Sequence, residues 1–193
     1  DMGTEHIRLM DGAFYTFKFS NINTLTYTGT ASMFEAIVSG TAIKMDDGFL
    51  NCPNGSVITM TNGNSLILKL VIFIQAIKSV VTSTDFVTLS ILPMVACADG
   101  LECINVGTIR ADQYQWNASA NTGGNALRIS GASSERIFMA NADARPNSTE
   151  AFLDIDATYG GLVSITGGVF DSQGAGAVFY KASGRNQDDP SVF

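Results

Sequence analysis

The chain has 193 residues, 46% of them hydrophobic and only 15% charged, with eleven Lys+Arg against eighteen Asp+Glu and a net charge of −7. Glu and Lys number 5 each, against 17 Ser, 17 Thr, 13 Asn and 19 Gly, which leaves too few helix-forming polar residues to surface a long helical bundle. The apolar content excludes a disordered polymer, and the acidic balance argues against nucleic acid as a partner.

Along the chain, short runs rich in Val, Ile, Thr, Phe and Tyr predict strands at 6–10, 15–19, 24–27, 33–38, 42–45, 56–60 and 66–74. Further strands are predicted at 86–92, 103–106, 114–116, 126–129, 136–139, 151–155, 162–165 and 177–180. Between them lie Asp11-Gly12, Asp47-Gly48, Asn62-Gly63, Asp99-Gly100, Gly123-Gly124, Gly160-Gly161 and Gly167-Gly168. These dipeptides reach positive φ cheaply and are read as turns. By length, residues 66–81 also fit a buried helix, but their β-branched and aromatic content favours strands. Lys69, Gln75, Lys78 and Ser79 interrupt that segment, so it does not read as a membrane span.

Strand centres fall near Phe19, Ile43, Ile67, Leu89, Ile109, Ile129, Ile155 and Val178, in steps of about 20 to 26 residues. A loose period of that size, with strands and small polar turns, predicts a solenoid of stacked coils. The whole of 1–193 is read as one such domain, and the opening Asp1-Met2-Gly3 as part of a longer polypeptide. Cys97 and Cys103 are six apart and His6 is the single histidine, so zinc-ligand spacing is missing and Cys52, Cys97 and Cys103 are expected to be buried free thiols. Asp46-Asp47-Gly48 lacks the spacing of a calcium loop. No metal or other cofactor is expected.

Strict alternation puts Leu66, Leu68, Leu70, Ile72 and Ile74 on one strand face and Ile67, Lys69, Val71 and Phe73 on the other. Both faces are oily and both must be covered, by another layer of the chain or, as favoured here, by another subunit. Those five residues are therefore candidates for a subunit interface. Tyr114 and Trp116 share a strand face and are candidates for stacking on a sugar, although a buried aromatic pair fits them as well. Asp154 and Asp156 also share a face, about 6–7 Å apart by strand rise. With Asp171 they are candidate carboxylates for an inverting glycosidase, against the plainer reading of a solvated acidic face.

The segments Gly160-Gly161-Leu162-Val163-Ser164-Ile165-Thr166-Gly167-Gly168-Val169-Phe170-Asp171 and Ala42-Ile43-Lys44-Met45-Asp46-Asp47-Gly48-Phe49-Leu50-Asn51 resemble coils of a right-handed parallel β-helix. Such coils occur in bacteriophage tailspikes and tail fibres and in pectate-lyase-like enzymes. The resemblance implies a virion structural or interaction protein, such as a fibre, spike or surface-decorating component. It would form a rigid homotrimer that presents loops to a host glycan or to neighbouring virion proteins. The alternative implied by the same fold is a polysaccharide-degrading tailspike, a hydrolase or lyase. A β-sandwich or jelly roll is the competing all-β architecture.

Overall fold

The computed structural model describes residues 2–20, 24–117, 124–132, 134–145, 151–171 and 178–183. The first half of the chain contains β1 (Ile7–Leu9), β2 (Phe14–Lys18), β3 (Leu25–Thr26), β4 (Ser32–Ala36), β5 (Ala42–Asn51), β6 (Ser56–Thr61), β7 (Ser65–Ile74) and β8 (Ser79–Thr82). The second contains β9 (Phe86–Val95), β10 (Leu101–Ile104), β11 (Thr108–Asn117), β12 (Leu127–Ser130), β13 (Arg136–Arg145), β14 (Ala151–Asp156), β15 (Leu162–Phe170) and β16 (Val178–Ser183). No helix occurs among the described residues. Residues 66–81, which also fitted a helix, form β7, a corner and β8.

Short strands stack in the order β1-β4-β6-β8-β10-β12-β14-β16, and long strands in the order β15-β13-β11-β9-β7-β5-β2, with β3 beside the second half of β5. Every strand pair is parallel, which rejects the sandwich and jelly roll and gives a parallel β-helix. Successive long strands are offset in register by 28, 23, 21, 22, 28 and 26 residues, so the coil length varies around the predicted step.

Each of β5, β7, β9, β11, β13 and β15 bends at its middle. Asp47, Leu70, Ile91, Gln113 and Asn141 occupy the left-handed region at φ between 52° and 59°, with Gly167 at 66°. The flanking register pairs place these residues one above another from coil to coil. The pairs Asp47-Gly48 and Gly167-Gly168 are thus corners inside β5 and β15 rather than turns between strands. A left-handed residue costs about 1–2 kcal/mol for a side chain with Cβ. The parallel ladders on both sides, β7 against β5 and β9 for example, hold it in place.

The corner also reverses side-chain parity. In β7, Leu66 and Leu68 point inward before it, and Val71 and Phe73 after it. In β9 the inward set is Val87, Leu89, Leu92 and Met94. Stacked on one another, these residues form a continuous interior column, such as Ile43, Leu66, Val87, Ile109, Ile137 and Val163 in register. Each buried aliphatic contributes about 1.5–3 kcal/mol. Leu66 and Leu68 belong to this column and face no sister chain, which corrects the alternation expected from the sequence. Leu70, Ile72 and Ile74 lie on the outer side.

All three cysteines are buried and free. Burial pushes the thiols up, Cys52 to about 12 and Cys97 to about 11, with Cys103 raised as well. A thiol needs its thiolate form to react. The native protein at pH 8 is therefore expected to give no colour with DTNB over minutes, and all three thiols should react in guanidinium; rapid native reaction would show that the column opens.

Candidate functional site

The acidic pair lies on the outer face of the short-strand sheet. In β14, Leu153 and Ile155 belong to the interior column, while Asp154 and Asp156 stand on the side of Arg128, Asp154 buried rather than solvated. Their setting is an inter-coil ion ladder. Arg8 stands beside Glu35, and Glu102, Arg128 and Asp154 follow one another in register. Arg8 Nε lies 2.6 Å from Glu35, and Lys78 Nζ 2.6 Å from Glu102. The Arg128 guanidinium reaches Glu102 and Asp154 at 3.8 Å and Asp156 at 3.7 Å.

Asp154 is buried at 4% exposure and also accepts from Asn125 Nδ2 at 3.4 Å. Asp156 Oδ1 accepts from both the amide and the hydroxyl of Thr158, each at 3.0 Å. The amide bond first, then the hydroxyl and Arg128, hold the Asp156 carboxyl below its usual range. A general acid needs a raised pKa and a water-accessible bond to protonate. Asp156 is held low instead, and Asp154 is buried beside the same arginine, a stabilising arrangement across coils. Asp171 is exposed and follows β15, which belongs to the long-strand sheet, so it is not part of this ladder.

Tyr114 and Trp116 share a face, but that face is the inner one. The left-handed corner at Gln113 turns them inward, to 0% and 2% exposure. The Tyr114 hydroxyl donates to the Ala126 carbonyl at 2.5 Å, and its ring packs 5.6 Å from Phe152. Neither aromatic is available to a sugar.

A concave surface occurs instead on the outer face of the first halves of β9, β11, β13 and β15. It encloses about 460 Å³. Two rows of side chains build it. One row runs Thr88, Arg110, Phe138 and Ser164 in register, and the other Ser90, Asp112, Ala140 and Thr166. Residue size makes it concave: Arg110 and Phe138 rise as walls, while Ser90, Ala140 and Ser164 leave the floor low. Phe138 is 37% exposed, and the Arg110 guanidinium carbon lies 6.0 Å from its ring centroid. Asn141 Nδ2 donates to Asp112 Oδ1 at 3.1 Å and orients that carboxylate. An aromatic face, a fork of donors and a fixed acceptor thus share one trough of ligand-sized volume.

Sequence reading did not single out this trough. The alternations Ile109-Arg110-Ala111-Asp112 and Ile137-Phe138-Met139-Ala140 carry the signal that Arg110, Asp112 and Phe138 face outward. Nothing local reveals that residues 28 apart become neighbours.

A second outer feature is apolar. Phe49 pairs with Ile72, and Ile74 with Val95, while Leu70 and Ile91 occupy the neighbouring corner column. Phe49 and Leu70 are each 42% exposed. This band lies beyond the corner from the trough, on the second halves of the long strands. Among the described residues, no group of three or more His, Cys, Asp or Glu side chains could hold a metal ion. Comparison of the chain with protein-family models, with curated proteins and with solved structures finds no match.

Proposed function

We propose that this chain is a non-catalytic, stiff binding module of the fibre or spike type that takes a glycan in the Arg110–Phe138–Asp112 trough. The observation that carries the reading is the trough itself. It offers a half-exposed ring for the apolar face of a pyranose, with guanidinium donors and an oriented carboxylate for its hydroxyls. Stacked coils give a rod whose groove geometry is fixed before binding, which lowers the entropic cost of capture. Placement on a virion surface, next to other virion proteins, rests on the likeness of the coil cadence to tailspikes and tail fibres. The degradative reading loses its sequence support, because Asp154 and Asp156 are engaged by Arg128 and lie outside the trough.

Binding of the full chain to a panel of immobilised bacterial and host polysaccharides tests the reading. Phe138→Ala is expected to weaken binding about tenfold or more and to lower stability by about 1–2 kcal/mol, since the ring is partly packed and lies under Arg110, leaving the variant folded at the assay temperature. An unchanged affinity for Phe138→Ala would remove the trough from consideration.

Sister copies in a homotrimer would cover the apolar band of Phe49, Leu70, Ile72, Ile74, Ile91 and Val95. Light scattering is expected to return a trimer. Leu70→Asn is expected to shift it toward monomer while stabilising the monomer by about 0.5–1 kcal/mol, because Asn tolerates the left-handed corner better than Leu. A monomeric parent chain at micromolar concentration would refute this packing.

A further inference from the structure

We infer that the glycan taken by the trough is acidic, a uronic- or sialic-type sugar whose carboxylate is held by Arg110. This inference rests on the glycan reading above and adds the charge of the ligand. In β13, Ile137 points into the column, so Arg136 and Phe138 share the outer face. Arg110 stands beside Phe138 in register, and Thr108 beside Arg136. The Arg110 guanidinium therefore stands over one partly exposed ring, and Arg136 lies two residues before that ring on the same strand face.

The ion pairs single these two arginines out. Arg8 is paired with Glu35, and Arg128 with Glu102, Asp154 and Asp156. Among the described residues, neither Arg110 nor Arg136 has a carboxylate at ion-pair distance. On a chain of net charge −7, Arg110 is the cation lining the trough and keeps its guanidinium out of any ion pair among the described residues. A planar guanidinium matches a carboxylate through two parallel hydrogen bonds.

Asp112 sets the other half of the specificity. It lies two residues beyond Arg110 on the same face, about 6–7 Å away by strand rise. Asn141 donates to one of its oxygens, leaving the lone pairs of the other for a sugar hydroxyl. Fork, ring and acceptor in that order suit a sugar acid, with its carboxylate at one end and hydroxyls at the other. An anionic polymer without hydroxyls, such as poly-L-glutamate, would offer Asp112 no hydroxyl donor and would meet only repulsion there.

The experiment uses the full chain on an array holding polygalacturonate, alginate and polysialate beside dextran, mannan and poly-L-glutamate. Calorimetry follows on the best ligand and on its carboxyl-reduced form, in which each carboxylate has become an alcohol. Acidic polysaccharides are expected to bind. Carboxyl reduction should weaken binding about tenfold or more. Arg110→Gln should cost a similar factor with the native ligand and little with the reduced one. Arg110 is exposed, so an unchanged thermal transition checks that this variant is folded. Neutral ligands binding best, or carboxyl reduction without effect, would overturn the acidic inference and leave the glycan reading standing. Poly-L-glutamate binding as tightly as the sugars, or no polysaccharide binding at all, would overturn both.

Discussion

Replacing Gly100 by alanine is expected to lower the stability of the protein by about 3 kcal/mol, read as a fall in the urea midpoint with an unchanged slope. The reason is the distance between coils. A Cβ at Gly100 would sit 1.8 Å from the carbonyl oxygen of Ala126, 2.6 Å from its carbon and 2.9 Å from its Cα. These are backbone atoms of the next coil, and they are not free to yield. The Ala126 carbonyl accepts from Leu101 N at 3.0 Å and from the Tyr114 hydroxyl. Moving it aside would break the first rung between β10 and β12 and leave the buried Tyr114 hydroxyl with only the weak Met94 Sδ acceptor at 3.1 Å, a cost of about 1 kcal/mol on top of the clash.

Gly160 supplies the control. A Cβ there meets nothing within 4 Å, and Gly160→Ala is expected to change stability by less than about 0.5 kcal/mol. Equal midpoints for the two variants would mean that the coils are not packed as tightly at Gly100 as the backbone requires.

The same coil-to-coil contacts explain what could be read from the sequence and what could not. The cadence of apolar runs and small polar breaks was legible, because each coil must place its greasy residues over those of the coil below. The placement of Asp154 and Asp156 opposite Leu153 and Ile155 was legible too, since no left-handed residue interrupts β14, but the burial of Asp154 beside Arg128 was not. Alternation failed where a strand turns a corner on an ordinary residue. Leu70, Ile91 and Gln113 carry no mark of a left-handed conformation, unlike Gly167. Counting by twos through Gln113 sends Tyr114 and Trp116 outward if Ile109 and Ala111 point in. The corner inserts one extra residue and sends them inward. The same slip separates Leu66 and Leu68 from Leu70, Ile72 and Ile74. The trough was illegible for another reason. Arg110 and Phe138 meet through a coil of 28 residues, whereas the coil before it has 22, and local pattern does not set that length.

Trp116→Ala and Phe138→Ala are expected to have opposite consequences. Trp116 is 2% exposed in the interior column, in register with Met94 on the neighbouring coil. Removing so large a buried ring should cost about 3–5 kcal/mol, because transfer energy is lost and the surrounding coils cannot close the cavity. Tyr114→Phe should cost less, about 1 kcal/mol, by deleting one hydrogen bond to the Ala126 carbonyl while Leu101 N still satisfies that oxygen. Neither side chain reaches the trough, whose walls come from the other side of the same sheet. Measured well below its own melting transition, Trp116→Ala should therefore bind polysaccharide with the parent's affinity, while Phe138→Ala loses less stability than Trp116→Ala and loses the ligand. A Trp116→Ala protein that remains as stable as the parent but no longer binds would put that indole on the outside and return the sugar-stacking role to the pair at Tyr114 and Trp116.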